Sequence, residues 1–171
     1  MWLSVLVLSV LPRLPLAAAE PVDRLLYAVG DRIVTAGDLA FELDIDAHDQ
    51  TPIPALDAAD YPREQRLVDL TVIRALAGDT VIYRPTADEV EARWEGVRAT
   101  WARPEDFEAF LTRWGTDGDG LRGFLYSRMV VERYIRRVAA TVDTPVESPE
   151  FAGVYQAWIA EVRKGRFRRA P

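Results

Sequence analysis

The stretch that decides the fold is residues 86–142, TADEVEARWEGVRATWARPEDFEAFLTRWGTDGDGLRGFLYSRMVVERYIRRVAATV. Its apolar residues recur every three or four positions, which predicts three consecutive amphipathic helices at residues 87–102, 105–114 and 120–141. Thr86 and Glu89 have the spacing of a capping box, and Pro104 and Gly115 mark the start and end of the second helix. Because such helices must bury their apolar faces, we expect them to pack on each other and on the flanking segments.

Upstream of this run, the sequence predicts a β-hairpin and two further helices. The hairpin covers residues 23–34 and turns at Gly30-Asp31, where glycine suits the positive φ of a two-residue loop. Helices are predicted at residues 36–44 and 63–77, and the second is apolar almost all round, which is typical of a central helix. Between them, residues 44–62 contain three prolines and five aspartates, which favours a poorly ordered, solvated loop.

The downstream part predicts one closing helix and a short tail. Thr80 to Tyr83 is expected to be an extended link, and residues 143–148 a connector. Ser148 followed by Pro149 predicts a helix over residues 149–164. The tail at residues 166–170 is a candidate edge strand. The predicted fold class is therefore one mostly α domain, residues 20–171, with a small β-hairpin near the N-terminus.

Composition and the first residues bound the function. A net charge of −6 argues against nucleic-acid binding, which draws on a basic surface. The chain has no cysteine and therefore no disulfide or thiolate metal site. Residues 2–11 form an apolar run that is too short to span a bilayer, and Ala17-Ala18-Ala19 supplies a small-residue cleavage site. We expect residues 1–19 to be a cleaved signal peptide, leaving no stable membrane span; an N-terminal anchor or a buried helix are the alternatives.

Three segments and the order of the elements resemble the SurA family of periplasmic chaperones. The segments are the hairpin VDRLLYAVGDRIVT at residues 22–35, the helix LVDLTVIRAL at residues 67–76, and the closing helix WIAEVR at residues 158–163. The resemblance implies a SurA N-terminal-like helical domain that binds unfolded or outer-membrane-destined polypeptides in the periplasm without ATP. The family's parvulin prolyl isomerase domains commonly precede the closing helix, where this chain has only DTPVES, residues 143–148. The expected protein is therefore not an enzyme.

Two other functions stay open beside the chaperone. One is a non-catalytic accessory subunit that docks on one specific periplasmic partner through the same apolar surface. The other is a protein related to peptidyl-prolyl isomerases.

Six side chains are candidates for polypeptide binding. Five are large aromatic residues that a chain of this size cannot all bury, although such a stripe is more often core than surface. The sixth is an arginine four residues before Glu132 on the apolar stripe of the third predicted helix. That spacing indicates either a buried ion pair, which we favour, or a cleft that admits water and a client chain. The candidates are Trp94, Trp101, Phe110, Trp114, Arg128 and Trp158.

The other polar residues predict little chemistry. His48 is the only histidine and falls in the Pro/Asp segment, which favours a solvated loop residue over a catalytic base. One histidine without cysteine makes a transition-metal site improbable. We also expect no cofactor. Asp117-Gly-Asp119-Gly120 lacks the later ligands of a calcium loop and predicts a helix–helix turn. The aspartates between Asp38 and Asp60 are expected to be solvated rather than paired for acid–base catalysis.

Overall fold

The structure is a computed structural model that describes residues 23–58, 60–164 and 167–169. The described residues confirm the predicted class, a mostly helical chain with an N-terminal hairpin. The predicted signal peptide lies outside the described residues. The elements, in chain order, are β1 Leu25–Val29, β2 Arg32–Thr35, α1 Ala36–Asp46, α2 Arg63–Ala77, α3 Ala87–Ala99, α4 Pro104–Arg113, α5 Gly118–Thr141, α6 Phe151–Arg163 and β3 Phe167–Arg169.

The sheet joins the two ends of the described chain. Its strand order is β2-β1-β3, and β1 is antiparallel to both neighbours. Val29 pairs with Arg32 across the two-residue turn. Gly30 in this turn has a φ of 58°, a left-handed conformation that residues with a side chain rarely adopt. Val29 also pairs with Phe167 of β3. The predicted C-terminal edge strand is therefore confirmed.

Side-chain caps set where three of the helices begin. The Thr35 hydroxyl accepts from the Asp38 amide at 3.1 Å, and the Asp38 carboxylate accepts from the Thr35 amide at 2.8 Å. Thr86 and Glu89 form the same reciprocal box at α3. Asp117 caps α5 by accepting from the Gly120 amide at 2.8 Å. These bonds satisfy amides that have no partner within the helix.

Two segments differ from the sequence-based expectation. Val81–Tyr83 is a 3-10 turn rather than an extended link. Helix α6 begins at Phe151, two residues after the Ser148-Pro149 pair. The reason is that Ser148 belongs to consecutive turns, in which its amide bonds the Pro145 carbonyl and its carbonyl accepts from the Phe151 amide.

Helix α2 lies at the centre, as its apolar sequence predicts. It packs against α1, α5, α6 and β1, while α3 packs against α5. Its side chains Val68 and Val72 are buried beneath the hairpin, and Ile73 is buried toward α6. The core around α3, α4 and α5 is aromatic and includes Phe107 and Phe110.

The Pro/Asp segment after α1 belongs to the core, contrary to the loop expectation. Ile53, Ala55, Leu56 and Tyr61 are all buried and pack with residues of α6. Pro54 starts a 3-10 turn, Pro54–Leu56, that turns these apolar side chains inward. The prolines thus shape a buried turn rather than keep the segment in solvent.

Phe110 gives a direct test of the aromatic core. It is 1% exposed, so Phe110→Ala should lower the free energy of unfolding by about 3–5 kcal/mol through lost burial and a cavity. Urea unfolding followed by circular dichroism measures this. Glu108→Ala, on the exposed side of the same helix, is the matched control and should stay within about 0.5 kcal/mol. Equal losses in the two variants would contradict the packing described above.

Candidate functional site

Helices α1, α2, α3 and α5 meet around three arginines that are largely removed from solvent. The side chain of Arg128, on α5, is 10% exposed and donates to Glu42 at 2.6 Å, to Asp49 at 2.9 Å and to Asp46. It also donates to the Asp49 carbonyl at 2.9 Å. One guanidinium therefore ties the middle of α5 to α1 and to the turn that follows α1.

The other two arginines extend the same network. Arg93, on α3, makes two bonds to Asp49 at 2.7 and 3.0 Å and two to Glu132 at 2.6 and 2.8 Å. Arg66, on α2, is 2% exposed and binds Asp46 together with Asp57 at 3.1 Å. Two-point arginine–carboxylate pairs restrict distance and orientation together, so the network sets how the four helices meet.

The structure corrects two sequence-based interpretations of these charges. Arg128 and Glu132 are both buried in ion pairs, as favoured, but the two residues do not pair with each other. Arg128 binds the acids around α1, whereas Glu132 binds Arg93. The aspartates between Asp38 and Asp60 are predicted to be solvated, yet Asp46, at the end of α1, and Asp49, in the turn after it, are acidic members of the network.

Burial and charge act against each other on the arginines. Burial alone lowers the pKa of Arg93, but its hydrogen bonds to Glu132 and Asp49 outweigh this and raise it. The pKa of Arg128 is likewise raised, because Glu42 and Asp49 outweigh burial. Burial lowers the pKa of Arg66, which the charge of Glu42 only partly opposes. Arg93 and Arg128 are therefore held firmly in the charged form.

A second buried cluster fastens α6 to α2. Asp69 is fully buried; its carboxylate accepts from the Tyr61 hydroxyl at 2.5 Å and from Gln65 at 3.0 Å. Arg163 Nε lies 3.1 Å from Asp69 Oδ1, and the Tyr155 hydroxyl is 3.4 Å from that of Tyr61. Burial raises the pKa of Asp69, with Tyr61 and Arg163 opposing it. The cluster lies inside the helical body and serves to hold the closing helix.

A groove of about 350 Å³ opens above the arginine network. Its lining comes from three helices, on which the lining residues recur at helical spacing, and from the hairpin strand β2. Its lining mixes apolar and charged side chains, and the rings of Phe41 and Phe124 meet edge to face with centroids 4.8 Å apart. Glu42 and Arg128 reach it from the network below. The lining comprises Arg32, Ile33 and Val34 of β2; Asp38, Phe41 and Glu42 of α1; Leu67, Leu70, Thr71 and Arg74 of α2; and Gly123, Phe124, Ser127 and Arg128 of α5.

The six candidate residues from the sequence are not gathered on one surface. Arg128 lines the groove, whereas Trp94 and Phe110 are buried in the aromatic core. Trp101 and Trp114 are half-buried at the edge of that core, where the Trp114 indole donates to Asp44 at 2.7 Å. Trp158 is half-buried on α6 and packs against the second part of the core. The sequence analysis did not name the groove residues of β2, α1 and α2. In the sequence, these residues are apolar positions next to charged ones, and only the fold shows that their elements come together.

His48 is packed rather than solvated, which differs from the prediction. Its ring stacks on Trp101 with centroids 3.7 Å apart and an interplanar angle of 16°. Its Nδ1 lies 2.7 Å from the Thr100 hydroxyl. Burial lowers the pKa of His48, and the charge of Asp44 partly opposes this. The imidazole thus serves as a contact between the turn after α1 and the end of α3.

Searches for a metal site, a membrane-spanning helix and related proteins point to no further site in the described residues. Within residues 23–58, 60–164 and 167–169, no three histidine, cysteine or acidic side chains are placed to hold a metal ion. No helix in that same part of the chain has the length and apolarity needed to cross a membrane. Comparisons with protein-family models, with curated proteins and with solved structures find no match to the chain.

Removing the central guanidinium tests the network. Arg128→Met should lower the free energy of unfolding at pH 7 by about 3–5 kcal/mol, because Glu42, Asp46 and Asp49 lose a buried positive partner. Arg136→Met, on the same helix, is the control, since its pair with Glu147 is solvent-exposed and its loss should change stability far less. Both are measured by urea unfolding. A small loss at Arg128 would show that the acids are satisfied without it.

The single histidine allows a clean titration. The NMR signal of His48 should titrate below the ordinary value of about 6.5, since burial against Trp101 favours the neutral ring. The lowered pKa means that the unfolded chain binds the proton more readily. The stability that His48 contributes is therefore complete above pH 6.5 and is lost as pH falls through the lowered folded-state value.

Two variants separate the causes of this shift. Trp101→Ala should move the midpoint up toward the ordinary value, because the ring is exposed to water. Asp44→Asn should move it further down, because the opposing negative charge is gone. A midpoint at or above 6.5 in the unmodified protein would refute the packed environment.

Proposed function

We propose that the protein is a chaperone-like, ATP-independent polypeptide-binding protein that holds unfolded or outer-membrane-destined chains. The observation that carries the proposal is the open groove between β2, α1, α2 and α5, whose lining combines apolar side chains such as Phe41 and Phe124 with charged ones such as Arg128. Concave apolar surface with a few fixed polar groups is the usual character of a binding site. The resemblance of the hairpin, α2 and the closing helix to SurA-type chaperones supports the same function.

The arginine network gives a physical reason why the groove stays open. Closing it would bring Phe41 and Phe124 nearer to α2 but would displace Glu42 and Arg128, which are held in ion pairs. Breaking a buried pair costs about 3–5 kcal/mol, more than burying one further aromatic face is expected to return. A preformed groove binds without first ordering its own walls, which lowers the cost of capture.

The size of the groove favours weak, reversible capture of a short segment. Its volume of about 350 Å³ lies at the low end of the range for ligand pockets. Few client side chains fit at one time, so the affinity comes from a small buried apolar area. Such weak binding is reversible without ATP to drive release. We further propose that the protein acts in the periplasm after export and that proline-peptide turnover stays at the background rate.

A second candidate is an accessory subunit that docks on one specific partner. The observation that favours it is the 3-10 turn before α3, where Val81 is 72% exposed and Ile82 67% exposed. Two adjacent apolar side chains at such exposure are a candidate contact for another protein. Client breadth separates the candidates: several unrelated unfolded proteins bound weakly favour the chaperone, and one tight complex favours the subunit.

A glycine in the groove wall offers a sharp test. Gly123 lies on the exposed, groove-lining side of α5, and a Cβ there would meet nothing within 4 Å. Gly123→Trp should fill the groove and weaken binding of reduced, alkylated α-lactalbumin about tenfold or more, while leaving the fold intact. Fluorescence anisotropy measures binding, and suppression of thermal aggregation of two unrelated proteins measures breadth.

The chain supplies a matched control for this substitution. Gly96 is also an exposed helical glycine where a Cβ would meet nothing within 4 Å, but it lies on α3 away from the groove. Gly96→Trp should bind the client as the unmodified protein does. Both variants should unfold at equal or slightly higher urea concentration, because glycine is a poor helix former. Equal binding by both variants would contradict the proposed site.

A further inference from the structure

Within the part of the chain that the structure describes, the hairpin strand β2 has one main-chain edge with no neighbouring strand. The described sheet has the order β2-β1-β3, so β2 has a strand on one side only. Val29 and Arg32 close the two-residue turn, and the next pair is Ala28 with Ile33. Hydrogen-bonded and non-hydrogen-bonded pairs alternate along an antiparallel ladder. The closing pair bonds across the turn, so the N–H and C=O of Ile33 point away from β1.

The residues after Ile33 confirm this alternation independently. The Ala36 amide bonds the Arg24 carbonyl at 2.8 Å, continuing the inward side of β2. The Thr35 amide instead points outward and is taken by the Asp38 carboxylate at 2.8 Å. Ile33 is two residues before Thr35 and therefore faces the same way. Of these two outward amides, Asp38 caps that of Thr35, and that of Ile33 has no hydrogen-bond partner among the described residues.

The open edge borders the groove. Arg32, Ile33 and Val34 are consecutive, and all three line it. Side chains on a strand alternate between faces, so three consecutive residues border one groove only if the groove runs along the strand edge. The Ile33 side chain is 58% exposed, and Arg32 makes no ion pair within the described residues. The main-chain N–H of Ile33, an apolar contact and a positive charge with no ion-pair partner among the described residues therefore meet at this edge.

We propose that the occupant of the groove is an extended polypeptide that adds to the sheet as a strand beside β2, with Ile33 as its main-chain partner. The inference rests on the proposed function and names the conformation that the site selects. Side chains on one face of the added strand enter the groove toward Phe41 and Phe124. An acidic residue beside the apolar one complements Arg32. Asp38 occupies the outward amide of Thr35, so only Ile33 is left to pair with the added strand. Main-chain pairing therefore sets the register and direction of the added strand, while contacts with the groove wall supply the affinity.

The test compares main-chain and side-chain changes on both partners. The probe is a fluorescein-labelled nine-residue peptide with one central phenylalanine, one adjacent glutamate and otherwise serine and threonine. N-methylation is scanned along the peptide, one residue at a time. One position should lose about tenfold or more in affinity while its immediate neighbours do not, because adjacent amides of a strand point to opposite sides.

On the protein, Ile33→Pro is compared with Ile33→Ala. Alanine removes most of the side chain and keeps the outward N–H, whereas proline keeps three side-chain carbons in its ring and removes that N–H, which an edge strand tolerates. Ile33→Pro should bind the peptide about tenfold more weakly than Ile33→Ala. The peptide scan uses the unmodified protein, so it decides the question even if Ile33→Pro does not fold.

The possible outcomes are distinguishable. Uniform tolerance of N-methylation, with Gly123→Trp still blocking the peptide, would overturn strand addition and leave the groove function standing. No binding of the peptide or of unfolded α-lactalbumin by the unmodified protein would overturn both. A dimer that forms with rising concentration in sedimentation equilibrium, and that Ile33→Pro abolishes, would assign the edge to a second copy and overturn the polypeptide assignment.

Discussion

The interaction on which the structure depends is the contact of one guanidinium, that of Arg128, with three carboxylates from the first helix and its following turn. Charges removed from water are stable only when opposite charges and hydrogen bonds replace the lost hydration. Alternative packings of these helices would leave Glu42 or Asp49 without a partner. We therefore expect the network to favour one arrangement, in which Arg128 of α5 meets the acids of α1 and of the turn after it.

That arrangement also explains how an apolar groove survives next to a well-packed core. Apolar walls normally close on each other, because closing removes surface from water. Here Glu42 and Arg128 belong both to the groove and to the buried ion pairs, so the walls cannot approach without separating charges. The aromatic core of α3, α4 and α5 is filled separately, and Phe110 and Trp94 are used there. Stability and the proposed binding would thus draw on different aromatic residues.

Local patterns in the sequence were enough for the helices and their caps, because periodicity and the Thr86–Glu89 spacing act within a few residues. They also indicated the central α2 and the C-terminal strand. The partners of the charges were out of reach, since Arg128 meets Glu42 from 86 positions away and Arg93 meets Glu132 from 39. The sequence alone predicts that an aspartate-rich segment is solvated, because it does not show that arginines from other helices lie beside it. For the same reason, aromatic side chains such as Trp94 could not be sorted into core and surface.

Among the described residues, the outer edge of β2 is short and partly capped. Long, flat edges with several outward amides pair readily with other chains, and short or capped ones do not. Strand β2 has four residues, and Asp38 occupies the outward amide of Thr35 through the same bonds that begin α1. On the proposed function, the open N–H of Ile33 would align an extended segment, and the groove beside it would retain that segment. Release would then require only that the apolar side chain leave the groove, which suits a holding protein without ATP.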